Sequence, residues 1–214
     1  MRDYILFIDF DGTITTEETL SGVMRICVDP ETFKEGSRKL QTGEWTLKET
    51  IIFAFDHIPS SRIDEILAYV RGVPIRKGFG DLLDKMKEFA IPVVIISGGL
   101  KPYVEEKLEP YKDRIAEIYS IDIDISGQNI KLIVPDEYEG ETDLLEKTSI
   151  MEKYQNKNTI CVGDGLTDIS MALASKTVFA RDTLAEVLTQ KDIPYINWDD
   201  FNDVKDGITQ LING

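Results

Sequence analysis

The hydrophobic pattern of the chain changes character twice. Residues 4–9, YILFID, form a short apolar run ending in acid and glycine, the signature of a buried strand. Residues 19–71 instead carry four segments with helical apolar spacing: TLSGVMRICV, ETFKEGSRKLQ, TLKETIIFAF and SRIDEILAYVR. Pro30, Gly43 and Pro59 separate them, and Thr46 with Glu49 forms a capping-box pair. After Pro74 strands and helices alternate. The spacing predicts a helix over 78–89, a β-branched strand over 91–97 and a helix over 101–109. IYSIDIDIS and QNIKLIVPD alternate around Gly127, which predicts a hairpin. A helix over 145–155, a strand over 158–164 and a helix in TDISMALA follow. TVFA reads as a strand, TLAEVLTQ as a helix, PYIN as a strand, and an amphipathic helix begins at Asp199.

Such alternation predicts an α/β fold, a doubly wound parallel sheet with helices on both faces. The helical block interrupts it after the first strand. The expected organisation is a core of residues 1–14 and 75–214 with an inserted helical cap at 15–74.

In open parallel sheets, ligands bind beyond the carboxyl ends of the strands. Three predicted strands end in polar and glycine clusters: Asp9-Phe10-Asp11-Gly12-Thr13, Ser97-Gly98-Gly99, and GDGLTD at 163–168. Asp9 and Asp11 are two apart, so an extended chain turns both carboxylates into one pocket and Phe10 into the core. DFDGT alone reads equally well as a polar turn. Ser97-Gly98-Gly99 taken alone reads as a plain turn; position 95 is Ile, so Ser97 is not a nucleophile elbow, and with the glycine N–H groups it can form an anion-binding nest. GDGLTD is not a dinucleotide fingerprint, because Asp168 stands where a third glycine belongs. Its carboxylates suit a hard cation such as Mg²⁺, while Asp168 is equally suited to capping the next helix. Spacing alone makes Lys147 a solvated surface charge.

Charge and composition narrow the chemistry. With 24 Lys+Arg against 39 Asp+Glu, the net charge of −15 disfavours nucleic acid and anionic lipid as partners. An anionic substrate therefore needs a local cation. No stretch of about 18 apolar residues exists to span a membrane, and the N-terminal apolar run is too short for a signal peptide, so a cytoplasmic protein is expected. Cys27 and Cys161 lie far apart and read as buried structural thiols. The residues six positions after them are Phe33 and Thr167, not the arginine of cysteine-dependent phosphatases. His57 is the sole histidine, falls at a predicted helix end and reads as structural. That rules out multi-histidine zinc sites and leaves acid–base chemistry to carboxylates.

DFDGT, Ser97 in IISGG, Lys147 and GDGLTD, in this order, resemble the four motifs of the haloacid dehalogenase-like hydrolase superfamily. The helical segment resembles the type-one cap of its phosphoserine phosphatase-like branch. The resemblance implies a Rossmann-like core and a Mg²⁺-dependent phosphatase acting on a small phosphorylated metabolite. It implies that Asp9 attacks phosphorus and that Asp11 serves as general acid and base. It further implies that Asp9, the Asp11 carbonyl and Asp164 hold Mg²⁺ with Asp168 in support, that Ser97 and the Gly98 N–H hold phosphoryl oxygens, and that Lys147 neutralises charge. Dehalogenase members lack an acid at the Asp11 position, and the ATP-driven pumps carry DKTGT. In phosphoserine phosphatases an acid nine positions after the nucleophile and a cap arginine contact the substrate; Glu18 and Arg38 are the corresponding candidates here. IPSS, IPVVIISGG and FARDTL are similar instead to the methionine-salvage 2-hydroxy-3-keto-5-methylthiopentenyl-1-phosphate phosphatases. DEYEGETDLLEK, however, lacks the cysteine-rich stretch many of those carry. A phosphotransferase using the same aspartyl-phosphate and a non-catalytic binding module are the alternatives.

Overall fold

A computed structural model describes residues 3–155 and 158–213; positions 1, 2, 156, 157 and 214 of the expected core lie outside the described residues. Among the described residues, seven strands form one sheet in the order β4-β3-β2-β1-β5-β6-β7. β1 (Tyr4–Asp9) is central, parallel to β2 (Val93–Leu100) on one side and β5 (Asn158–Gly163) on the other. Its run Ile5–Ile8 is fully buried, as expected of a strand covered on both faces. β3 (Glu117–Asp124), β6 (Thr177–Ala180) and β7 (Ile196–Asn197) extend the parallel array, and β4 (Lys131–Ile133) closes one edge as the antiparallel arm of the hairpin.

Four helices lie between β1 and the next core helix: α1 (Thr19–Cys27), α2 (Pro30–Gln41), α3 (Leu47–Phe55) and α4 (Ile63–Gly72). Asp29 caps α2 by accepting from the Glu31 and Thr32 amides, and the Thr46–Glu49 capping box starts α3. The chain leaves and re-enters the sheet region at one place: Thr15 and Ile75 form an antiparallel bridge, and the Arg76 amide donates to the Ile14 carbonyl at 2.8 Å. The remaining helices are α5 (Phe79–Glu88), α6 (Lys101–Leu108), α7 (Lys147–Met151), α8 (Ile169–Leu173), α9 (Asp182–Gln190) and α10 (Phe201–Asn213). No helix among the described residues is long and apolar enough to cross a membrane.

Several expected boundaries shift. β2 does not stop at Ser97 but runs through both glycines to Leu100, with a register irregularity after Ile96. The reason is close approach: a Cβ on Gly99 would lie 2.5 Å from the Tyr103 hydroxyl and 2.8 Å from the Asp11 carboxylate. The helix expected over 145–155 is only α7, which begins at Lys147 with Glu146 capping the Thr148 amide. TDISMALA opens as a 3₁₀ turn over Leu166–Asp168 before α8, and PYIN contributes only Ile196–Asn197 as strand.

Candidate active site

Register brings the three motif-bearing strand ends together. Asp9 pairs with Ile96 on β2, and Ile8 with Val162 on β5. The chain then turns tightly over Phe10–Ile14. Gly12 sits at φ +78°, and a Cβ there would meet the Asp164 carboxylate at 2.4 Å, so only glycine fits. Phe10 is fully buried against Tyr103, while Asp9 and Asp11 line the same cavity.

Around Asp9 the polar groups interlock. The buried Lys147 ammonium donates to Asp9 Oδ1 at 2.5 Å and to Asp168 Oδ1 at 2.6 Å. Asp168 Oδ2 accepts from the Asp164 and Gly165 amides at 2.9 and 3.0 Å. The Thr13 hydroxyl donates to Asp164 Oδ1 at 2.5 Å. Lys147 is 2% exposed, which corrects the solvated-lysine reading: α7 starts inside the site and points its first side chain at two carboxylates.

The Asp11 carboxylate turns away from this cluster. It accepts from the Thr19 amide at 3.1 Å and from the Thr19 hydroxyl at the start of α1. Of Asp11, that leaves the backbone carbonyl rather than the side chain for a metal at the cluster. Ser97 is buried, its Oγ accepting from the Gly99 amide at 2.9 Å, and Gly98 lines the cavity. Glu18 stands exposed on the cavity rim. Arg38 is not brought to the site. It lies on the solvent face of α2, paired with Glu44 at 2.6 Å, because the helix turns Phe33, Gly36 and Leu40 toward α3 instead. His57 also lies outside the cavity, its Nδ1 2.8 Å from the Phe53 carbonyl. Cys27 and Cys161 are buried and free.

Three features escape sequence reasoning. Thr19 orients Asp11; its only signal is its place at a helix start. Arg76 donates to the carbonyls of Gly12, Thr13 and Thr15 and so braces the Asp9–Thr13 loop; nothing in its sequence neighbourhood marks it. The third is the apolar part of the cavity lining, drawn from Leu20 and Met24 of α1, Leu47 and Ile51 of α3, and Leu144 and Leu145 before α7. The three segments are too far apart in sequence to read as one surface.

The electrostatics ask for a cation. Asp9, Asp164 and Asp168 are buried and offer oxygens within 4.8 Å of one another, against a single ammonium. Burial and the Asp168 charge push Asp9 well above the usual carboxylate range, and burial with Asp168 moves Asp164 up to about 6 despite the Thr13 hydrogen bond. Burial also raises Asp11. Burial would lower Lys147, but Asp168 and Asp9 outweigh it and hold the ammonium far above its ordinary value. Glu18 is pushed up to about 8 by partial burial and by Asp11, Asp164 and Asp168, although solvent at the rim screens part of this. An all-oxygen donor set with excess negative charge fits a hard cation such as Mg²⁺.

A stability prediction follows. Carboxyls raised by folding hold protons that the unfolded chain has released, so stability falls as pH rises from about 4 through the folded values near 6 and 8. The depressed surface carboxylates, such as Glu44 and Glu49, act only below about pH 4.5. Metal-free protein should therefore melt lower at pH 8 than at pH 5, and Mg²⁺ should recover the difference. A melting temperature that rises with pH without metal would contradict this account.

A family model described as haloacid dehalogenase-like hydrolase matches residues 6–173. The chain belongs to that family. It is 36% identical, over 204 residues, to a 2-hydroxy-3-keto-5-methylthiopentenyl-1-phosphate phosphatase from Microcystis aeruginosa, covering 94% of this chain and 96% of the relative. A phosphatase of the same name from Bacillus cereus is 30% identical over 213 residues, covering 97% and 96%. Among solved structures, a phospho-aspartyl intermediate analogue of phosphoserine phosphatase shares the fold with a TM-score of 0.67 and 20% identity, covering 95% of this chain and 98% of that one.

Proposed function

We propose that this chain is a Mg²⁺-dependent phosphoric monoester hydrolase whose substrate is 2-hydroxy-3-keto-5-methylthiopentenyl-1-phosphate or a close thioether analogue. The observation that carries the choice is the cavity wall. Alongside Asp9 and Asp11 it includes Leu20, Met24, Leu47, Ile51, Leu144 and Leu145, and among the described residues Lys147 is the one cation lining the cavity. A leaving group ending in a methylthio tail fits such a wall. The serine leaving group carries a carboxylate, which would be desolvated there without a partner.

In the proposed reaction, Lys147, the Ser97 hydroxyl and the Gly98 amide hold the phosphoryl oxygens. An Asp9 oxygen attacks phosphorus, the P–O ester bond breaks, and its electron pair leaves on the substrate oxygen. Asp11, kept proton-rich by burial and oriented by Thr19, protonates that oxygen. The resulting Asp11 carboxylate then takes a proton from water as the water oxygen attacks phosphorus, and the Asp9–phosphate bond breaks to regenerate the enzyme. Asp9, Asp164 and the Asp11 carbonyl would hold Mg²⁺, with Asp168 fixing Lys147 and the Asp164 loop. The ion supplies positive charge beside the phosphoryl group. Residues 15–74 act as the cap that closes over the leaving group. Lys48 of α3 fits that role: its amide donates to the Thr142 carbonyl at 2.8 Å, and its ammonium reaches the Gly140 carbonyl at 2.8 Å and Glu139 at 2.6 Å. Two free buried thiols suit a reducing, cytoplasmic setting.

The test is phosphate release with Mg²⁺ from the methylthio substrate, O-phosphoserine, sugar phosphates and nucleotides, with a hydroxyl acceptor also present. The methylthio compound should have the highest kcat/KM, by at least about tenfold, roughly what burying two methylenes' worth of tail supplies. Preference for O-phosphoserine would overturn the substrate assignment. A phosphorylated acceptor in place of free phosphate would identify a phosphotransferase.

A further inference from the structure

A second cavity lies between α1, α2 and α3 of the helical insert, opening to solvent past Arg25, Leu40 and Gln41. Its far wall is formed by Phe33, Gly36 and Leu40 of α2 and by Phe53 and Ala54 of α3. Its near wall is Ser21, Met24 and Leu47, and these same three side chains line the catalytic cavity. They form a partition shared by the two cavities.

We propose that Met24 and Leu47 set the length of leaving group the enzyme accepts, and that the chamber behind them is a subsite for longer unbranched apolar tails. The occupant is the far end of a phosphomonoester whose phosphoryl group sits at Asp9, so the proposal rests on the phosphatase reading. Three observations on the molecule support it. The chamber shares Ser21, Met24 and Leu47 with the catalytic cavity. Met24 and Leu47 are apolar, as are Leu20, Ile51, Leu144 and Leu145 of the catalytic cavity. The larger partition residue, Met24, is an unbranched thioether that changes rotamer readily. Leu47 stands at the first position of α3, directly after its capping box, so its backbone is held while Met24 is the movable element. Gly36 keeps the chamber open: a Cβ there would meet Thr50 and Phe53 only at ordinary contact distances of 3.5 and 3.7 Å, so a larger side chain can be introduced and would occupy the space.

The experiment measures binding of n-alkylphosphonates, from propyl to octyl, by calorimetry in Mg²⁺. Phosphonates keep the anchoring group but are not hydrolysed, so binding is read separately from turnover. In the parent protein, affinity should rise about fourfold per methylene, the yield of burying one CH₂, and level off where the tail meets the partition. In Met24→Ala and Leu47→Ala the break should move outward by about two methylenes, the length that truncating either side chain vacates. Adding Gly36→Leu to Met24→Ala should return the break to its original length. If Met24→Ala fails to fold, Met24→Val gives the same comparison with a smaller shift. A break at the same length in every variant, no chain-length dependence, or a gain that survives Gly36→Leu would overturn the proposal. Failure of the phosphatase reading looks different: no phosphate released from any ester while the phosphonate series still shows its break.

Discussion

Asp9→Asn should remove turnover, by at least about 10⁴-fold, and leave the protein folded. The amide has the size of the carboxylate but neither its charge nor its nucleophilicity, so no bond to phosphorus forms. What makes the experiment decisive is the sign of its effect on stability. Asp9 is buried with two other carboxylates and one ammonium, and burial and the Asp168 charge already hold its proton on well above the ordinary carboxylate range. Asparagine makes that neutrality permanent, so no buried charge develops at this position as pH rises in the metal-free protein. Asp9→Asn should therefore melt no lower than the parent at pH 8 without Mg²⁺, and gain less when Mg²⁺ is added. Inactivity together with a lowered melting temperature would point to a damaged fold rather than a lost nucleophile, and residual turnover within about tenfold of the parent would remove Asp9 from that role.

Lys147→Met should do the opposite to stability. Among the described residues its ammonium is the one cation bonded to both Asp9 and Asp168. Methionine fills a similar volume but leaves the buried Asp9 and Asp168 carboxylates without their shared cation, a change that costs about 3–5 kcal/mol when one member of a buried pair is removed. For a protein of this size that is a fall of roughly 10 °C in melting temperature. The loss should be largest at pH 8 and shrink toward pH 5, because protonating the orphaned carboxyls removes the charge that needed compensation. Thermal unfolding at the two pH values checks this. An equal loss at both would show that Lys147 stabilises by packing and not by charge. Activity should fall with stability, since the same ammonium is proposed to hold phosphoryl oxygens.

The convergence of the site was legible because buried parallel strands announce themselves as apolar runs, and each run here ends in a polar cluster. Once β1, β2 and β5 are neighbours, Asp9, Ser97 and Asp164 must approach one another. What was illegible depends on side-chain direction in three dimensions. A lone lysine carries no local mark of burial, so Lys147 reads as solvent-facing until α7 is seen to start beside Asp9. Arg38 sits in a helix with apolar positions on one side only, and a residue's face there turns on which neighbour the helix meets; α3 took the face bearing Phe33 and Gly36. Ser97-Gly98-Gly99 looked like a turn because glycine weakens strands, yet here it allows one to pass tightly beside Asp11 and Tyr103. The apolar wall is drawn from three separate segments, and no window along the chain contains it.

The bridge between Thr15 and Ile75 has an evolutionary meaning. Because the intervening helices begin and end at one point, the segment between these residues is topologically an exchangeable cassette. Its ends are as close as neighbouring strands, so another segment of any length that ends on the same spacing would leave β1 and the Asp9 loop in register. If that segment is the proposed cap, exchanging it would change the leaving group accepted while the Asp9 loop stays as it is.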